Sequence, residues 1–417
     1  MIMAMKESGI EWVGLIPDGW KIAKNNRLFN ISKQLVNENW KNTQLLSLTK
    51  SGIIEKNIND GGGKQPESFG TYQYVEKDDI VLCLFDIDVS AVFSDRSKYD
   101  GMISPAYRVM KCTDAILPVY AKWWFDAVNI GRYYLIYTKS LRKTIDADGF
   151  GNILSVVPPL SEQQAIADYL DKTCSKIDEI IAEAKASIDE YKELKQSVIF
   201  EAVTKGLDKN VEMKQCSVNW LDDIPSTWES IRLKYLLTEI NNRSKTGTEQ
   251  PLSVSQVMGV VPSYMIAVAN PTASYVGQKI VEPNDIVFNK LKAHLGVFFM
   301  SKYHGLVSPD YAVYRTNDKV IPKYLEYLFH TSACISEFKK YISGVAEGLM
   351  RLYTSNLFNI RICLPKVDEQ IKIVEYVENK VELFNSLISE KESLINDLEA
   401  YKKSLIYEVV TGKRRVV

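Results

Sequence analysis

Two pairs of acidic residues have the spacing to hold a divalent metal for phosphodiester chemistry: Asp86 with Asp88, and Asp146 with Asp148. Each pair occurs in only one half of the chain and sits among turn-forming residues, so solvated turns are the expected reading. Ser104–Tyr107 (SPAY) and Ser308–Tyr311 (SPDY) echo the [DNS]-P-P-[YFW] loop with which amino-methyltransferases hold a target amine, but the third position is Ala or Asp instead of Pro. A methyltransferase would also carry a glycine-rich loop between a strand and a helix. The one GGG run, at 61 to 63, lies in a polar turn, and we expect SPAY and SPDY to form a repeated turn at a strand edge. No G-x-x-x-x-G-K-[ST] phosphate loop occurs. Six scattered cysteines and three histidines, with no C-x-x-C pair, indicate neither a zinc site nor a disulfide framework; isolated buried thiols are expected. The sequence therefore predicts a chain with no active site, cofactor or metal of its own.

The elements that would position these residues are written twice. IEWVGLIPDGW, ending at Trp20, returns as VNWLDDIPSTW, ending at Trp228, an offset of 208 in a chain of 417 residues. DDIVLCLFDID from Asp78 matches NDIVFNKLKAH from Asn284, and PVYAKWWF from Pro118 matches PKYLEYLF from Pro322. PPLSEQQAIADYL from Pro158 matches PKVDEQIKIVEYV from Pro365, and FEAVT matches YEVVT. A repeat at half the chain length calls for two copies of one module, each a globule followed by a helix.

The helices are predicted from local chemistry. Pro158 and Pro159 can precede a helix, Ser161 is a candidate N-cap with Gln164 completing a capping box, and Asp368 is the candidate cap of the second copy. Apolar residues then recur at spacings of three and four, from Ile166 through Leu170, Cys174, Ile177, Ile181, Ala184, Ile188, Tyr191 and Leu194 to Val198. The second series runs Ile373, Val377, Val381, Phe384, Leu387, Leu394, Leu398, Tyr401, Leu405. Sustained over several heptads, the pattern predicts coiled-coil pairing, antiparallel because a whole globule separates the two helices. Gly206 and Gly412 are the expected stops.

The expected fold class is α/β (α+β): two similar mixed α/β domains separated by two long helices that form an antiparallel coiled coil, with a pseudo-twofold internal repeat. The predicted boundaries are a lead-in motif at 1–19, the first globular domain at 20–157, the first spacer helix at 158–207, and a linker with the repeated lead-in at 208–227. The second globular domain follows at 228–362, and the second spacer helix and C-terminus at 363–417. Trp12, Val13, Ile16 and Trp20 are expected to pack where the chain enters its globule, and the second helix to return the chain end to this opening phrase. Runs such as DDIVLCLF and SYMIAVA are predicted strands, and PVYAKWWFDAV and PKYLEYLFHTS predict one helix in each globule.

The net charge of −1 hides a segregation. Residues 20 to 157 carry 18 Lys and Arg against 15 Asp and Glu, and residues 228 to 362 carry 15 against 10; the helical segments 158 to 207 and 363 to 411 each carry 6 against 10. Basic globules beside acidic rods suit a polyanion that meets the globules. Basic residues beside turns are the candidate DNA contacts: Lys64, Arg96, Lys98, Lys139, Arg142 and Lys143 in the first globule, and Arg243, Lys245, Lys290, Lys292 and Arg351 in the second. Such groups bond phosphates or guanine edges. No apolar run approaches the roughly 18 residues of a membrane span, and no stretch reads as a secretory leader, so a cytoplasmic protein is expected.

This organisation resembles the specificity subunit of type I restriction-modification enzymes over nearly the whole chain. The resemblance rests on W-x-x-x-I-P-x-x-W (Trp12 to Trp20 and Trp220 to Trp228), SLRKTIDADGF (Ser140 to Phe150), PPLSEQQAI (Pro158 to Ile166) and LPKVDEQIKI (Leu364 to Ile373). Lys366 replaces the second proline in the later copy, and SLRK aligns only loosely with GLMR. The resemblance implies that the globules are target recognition domains, each reading one half of a bipartite double-stranded DNA sequence. It implies that the paired helices act as spacer and as docking surface for two modification subunits. Those subunits would bring S-adenosylmethionine and methylate adenine N6, while two restriction subunits would bring ATP and Mg for translocation and cleavage. The rival readings are a single-chain DNA methyltransferase or nuclease, which predicts cofactor binding or turnover by the chain alone, and a coiled-coil scaffold that does not bind DNA.

Overall fold

The computed structural model describes residues 4–58, 68–90, 93–138, 141–266, 274–343 and 351–416. The chain divides into two compact units, Met1–Lys185 with Glu392–Val417, and Ala186–Lys391. Each unit holds one globule, the beginning of the helix that follows it, and the end of the other long helix.

In the first unit the opening phrase is a hairpin, Met5–Glu7 against Leu15–Pro17. Val13, Ile16 and Trp20 are buried, and Trp12 stacks on Tyr133 with ring centroids 4.1 Å apart. The entrance strand Lys21–Lys24 pairs antiparallel with the exit strand Leu154–Val157, so the globule is closed at its neck. Between them lie two four-stranded sheets. One runs in the order Phe29–Ser32, Arg108–Cys112, Ile80–Leu82, Ser94–Arg96, and the other Gly52–Lys56, Leu45–Thr49, Gly101–Ile103, Gln73–Val75. The helix Pro118–Ile130 starts with proline at its first turn, where no N–H is needed, and buries Tyr120, Trp124 and Phe125.

The second unit repeats the plan. Met213–Gln215 pairs with Asp223–Pro225, and Glu229–Arg232 with Arg361–Leu364. A four-stranded sheet runs Leu237–Ile240, Ala312–Thr316, Ile286–Phe288, Phe298–Met300. The second sheet comprises Leu252–Ser255 with Gly259–Pro262 and Lys279–Val281 with Gly305–Val307, the two pairs joined by a parallel bridge of Pro251 to Leu306 as Leu45 is joined to Met102 in the first globule. Two helices, Pro322–Phe329 and Ser332–Tyr341, replace the single one expected, because Thr331 accepts the Cys334 N–H and caps a fresh start. SYMIAVA is not a strand in its described part: Ser263–Met265 is a 3-10 turn following Pro262, and its last three residues, 267 to 269, lie outside the described residues.

The DDIV and NDIV repeats have a common backbone cause. Asp78 and Asn284 sit at φ 74° and 73°, a left-handed turn that Asp and Asn tolerate better than other side chains. The next residue, Asp79 or Asp285, accepts the backbone N–H of Glu76 or Glu282 at 2.9 and 3.0 Å. SPAY and SPDY form the expected turn at a strand edge, Tyr107 N–H bonding Ser104 O and Tyr311 N–H bonding Ser308 O.

The long helices run Leu160–Lys205 and Val367–Val410. They pair antiparallel within each unit. In the first, Lys402 Nζ donates to Asp178 at 2.6 Å and Gly412 packs on Pro17 and Trp20, beside Glu162. In the second, Lys195 Nζ donates to Asn385 at 3.0 Å, Tyr191 meets Phe384, and Gly206 packs on Trp228 beside Glu369. Both glycines are left-handed, at φ 76° and 72°, as helix stops require.

Two sequence expectations about these helices fail. Ser161 and Asp368 are not the caps. The caps lie two residues earlier, with the carbonyls of Pro159 and Lys366 accepting the N–H groups of Gln163 and Gln370, while Gln164 reaches forward to Asp168 instead of back. The apolar seam also changes phase: it is buried from Ile166 to Ile188, after which Leu194 is exposed and Ile199, Ala202 and Val203 are buried. In the second helix Leu394 and Tyr401 are exposed while Ile395, Leu405 and Ile406 are buried. A straight helix drifts about 20° per heptad against a 3.5 repeat, and the globule at each helix end recruits whichever face has then come round.

Candidate nucleic-acid interface

The repeated residues form one junction, built twice. Trp20 Nε1 donates to Glu162 Oε2 at 2.9 Å, and Trp228 Nε1 to Glu369 Oε1 at 3.1 Å. Gln163 is fully buried; its Oε1 accepts the Leu117 N–H at 2.7 Å and its Nε2 donates to Ala115 O and Pro158 O. Gln370 does the same for Ile321, Lys319 and Pro365, with the first bond at 2.8 Å. Tyr120 Oη donates to Val410 O at 3.3 Å, and Tyr324 Oη to Val203 O at 2.8 Å, satisfying carbonyls at the end of the neighbouring long helix. Burial pushes both phenols well above their ordinary range, so they remain donors at any physiological pH. Glu and Gln of the EQ element thus clamp each globule to a helix start, and the Tyr of the short helix clamps it to a helix end.

On this frame the two globules carry different surfaces. In the first unit, Arg96 pairs with Asp78 at 3.5 Å, and it lines with Lys98 an open recess of about 610 Å³. Lys50 and Lys122 share this recess with Asp95, Asp126, Asp171 and Asp178, so its charge is balanced. Burial raises the Asp126 carboxyl above its usual range, opposed by Lys122 at 2.9 Å. Arg142 and Lys143 are exposed elsewhere, on a turn bound to a second turn: the Asp86 N–H donates to Arg142 O and the Ile87 N–H to Lys143 O. Arg132 locks the arrangement by donating to Ile87 O at 2.7 Å and Ser90 O at 3.0 Å. The double turn projects the exposed side chains of Val89 and Leu141 beside the two cations. Asp86 and Asp88 are turn residues, and Asp146 caps the helix Ala147–Asn152 by accepting the Gly149 N–H. Among the described residues no cluster of three or more metal-binding side chains occurs. Lys64 and Lys139 lie outside the described residues.

In the second unit three of the candidates converge. Arg243 donates to Gly277 O at 2.9 Å, beside the strand Lys279–Val281. The Leu352 N–H donates to Lys290 O, which brings Arg351 next to Lys290. Between these segments lies Lys279, which the sequence reading passed over. It is buried, and its Nζ donates to Tyr311 O at 2.8 Å with Glu239 3.9 Å away. Burial lowers its pKa most, the Lys290 charge lowers it further, Glu239 opposes, and Arg243 adds to the depression. Asp310 opposes the depression as well, so the buried lysine sits among two cations and two carboxylates. In the same globule Lys245 and Lys292 are exposed, as are the apolar side chains of Val257, Met258, Tyr264 and Val276. The first globule places Gln73 where the second has Lys279; its Nε2 donates to Tyr107 O at 3.1 Å. The same SPxY turn is therefore held by a neutral amide in one copy and by an ammonium in the other. Counting back five residues from Asp78 and from Asn284 reaches Gln73 and Lys279, the signal by which Lys279 was detectable.

The chain is thus a two-copy α/β module, each copy clamped to long helices that pair antiparallel within its unit and each carrying its own charged face. Residues 225–397 match the family model described as the type I restriction modification DNA specificity domain. The EcoKI specificity subunit of Escherichia coli (strain K12) is 23% identical over 238 residues, which cover 53% of this chain and 49% of that protein. The alignment thus spans about half the length of this curated relative. A chain from a structural study of complex assembly and conformational transition of the type I R-M system has the same fold at 13% identity, covering 96% of this chain and 99% of that one, with a TM-score of 0.70. The HsdS subunit from Thermoanaerobacter tengcongensis is similar at 14% identity, 96% and 98% coverage, and a TM-score of 0.56. Residues 225–397 thus match that family's model, and the chain as a whole shares the fold of these two solved chains.

Proposed function

We propose that this protein is the DNA-reading subunit of a type I complex, binding a bipartite double-stranded target with one half-site on each globule. The observation that carries this reading is the junction built twice from Trp, Glu, Gln and Tyr, on which two differently charged faces are mounted. A constant clamp with changeable loops is what reading two unlike half-sites from one frame requires. The cluster of Arg243, Lys279, Lys290 and Arg351 supplies phosphate and guanine contacts in one half, and Arg142 and Lys143 in the other. The apolar tips beside them suit thymine methyl groups. Two major-groove sites on one duplex face lie about 34 to 36 Å apart, and the paired helices, each roughly 60 Å long at 1.5 Å per residue, act as the ruler that fixes the unread spacer.

In this reading the chain is a non-catalytic subunit acting in the cytoplasm. Two modification subunits dock on the helices and carry S-adenosylmethionine for adenine-N6 methylation. Two restriction subunits carry ATP and Mg for translocation and cleavage. Among the described residues no helix is long and apolar enough to cross a membrane, which agrees with a protein that acts on chromosomal DNA. Mapping N6-methyladenine in host DNA with and without the gene tests the proposal: a single bipartite motif should lose its methylation. An unchanged methylation map, in a host that expresses the modification subunits, would refute it.

A further inference from the structure

The cysteines do not all stand alone, as the sequence suggested. Cys216 follows the first strand of the second lead-in hairpin, and Cys363 lies in the exit strand Arg361–Leu364 of the second globule. Their sulfurs are 2.9 Å apart, within about 1 Å of a bonded pair, and both are free thiols. Cys216 is half-buried and reachable from solvent, whereas Cys363 is buried. Burial and the neighbouring Cys216 sulfur raise the Cys363 thiol, opposed by the nearby charges of Lys214 and Arg361.

The first unit shows that neither thiol is needed for the fold. Ser8 stands where Cys216 does: its Oγ accepts the Ile10 N–H at 3.1 Å, as the Cys216 sulfur accepts the Val218 N–H at 3.4 Å. By strand register Val156 occupies the place of Cys363, since Val157 and Leu364 both end their exit strands opposite the first residue after the lead-in tryptophan. A thiol pair has thus been placed at one neck and is absent from the other.

We propose that Cys216 and Cys363 form an oxidation site at which a peroxide converts the pair into a disulfide, stapling the neck of the second globule alone. The Cys216 sulfur, as thiolate, attacks one peroxide oxygen and becomes a sulfenic acid, releasing hydroxide that takes up a proton to form water. The Cys363 thiol then attacks the sulfenic sulfur, the S–S bond forms, and the departing hydroxide leaves as a second water with the Cys363 proton. Two thiols are oxidised and one peroxide is reduced to two waters. The bond closes residues 217 to 362 into a covalent ring, which restricts the unfolded chain, and it also ties the lead-in hairpin to the strand that opens the second long helix.

The test uses the full-length protein, fully reduced and then exposed to hydrogen peroxide. The expected result is a mass loss of about 2 Da, a non-reducing peptide map that joins the Cys216 and Cys363 peptides, and reversal by dithiothreitol. The Cys216→Ser variant, which copies Ser8, should fold normally and show no such cross-link. Thermal unfolding followed by pulsed proteolysis should show the second unit, and not the first, opening at higher temperature after oxidation. Oxidation of Cys216 to sulfinic acid with Cys363 still alkylatable would overturn the proposal, as would a disulfide involving other cysteines or an unchanged mass.

Discussion

The necks of the two globules are near copies, while their faces are not. At the necks, Trp20 with Glu162 and Trp228 with Glu369 make the same bond, and Gln163 and Gln370 each make the same three. At the faces, Gln73 holds the SPAY turn as a neutral amide while Lys279 holds the SPDY turn as a cation beside Lys290 and Arg243. The neck fixes geometry, since its hydrogen bonds join each globule to the start of a long helix. In the proposed reading the faces can differ because each need match only its own half-site.

The largest expected effect comes from breaking a neck. Gln163→Ala leaves the Leu117 N–H and two carbonyls without partners in a buried setting, which should cost about 2–4 kcal/mol, and Gln370→Ala should cost a similar amount in the other unit. Denaturant unfolding checks both; costs that differ several-fold would break the equivalence of the two junctions. Next in size is a test of the repeat as an assembly principle. A fragment ending near Gly206 carries a helix end whose FEAVT sequence matches the YEVVT seated in the first unit, with Tyr407 bonded to Trp12 O. It should dimerise at micromolar concentration, each copy lending its helix end to the other, as sedimentation would show; a persistent monomer would count against it.

A smaller effect sharpens the difference between the faces. Lys279→Gln turns the second turn into a copy of the first, so stability should change by less than about 1 kcal/mol. Affinity for the cognate duplex, with partner subunits present, should fall roughly tenfold, and the slope of log affinity against log salt should shrink by about 1. Unchanged DNA binding would remove the cluster from the interface. A heptad inserted near Lys185 should alter the spacer in the methylated motif and leave the half-sites intact.

Much of this comparison was legible in the sequence because it is local or repeated. The positions of Trp20, Trp228, Gly206 and Gly412 and the prolines that open the helices follow from residue chemistry. What escaped depended on tertiary partners. Ser161 and Asp368 have good capping chemistry, yet Gln163 and Gln370 are committed to the globule, and that bond sets where each helix begins. Leu194 and Leu394 continue a heptad on paper, but the helices follow their own 3.6 period and the globules cover the face that results. Lys279 lies in a short run, QKIVE, that reads as an ordinary strand end; its neighbours Lys290 and Arg243 arrive from distant turns.

The central claim is that the two globules are interchangeable readers on one frame. Replacing residues 228–362 by a second copy of residues 20–157, in a host supplying the partner subunits, tests it directly through the N6-methyladenine map. The account predicts a palindromic motif in which the half-site of the first globule appears twice at the original spacing. A chimaera that is stable and assembles, yet methylates the original asymmetric motif, would contradict it.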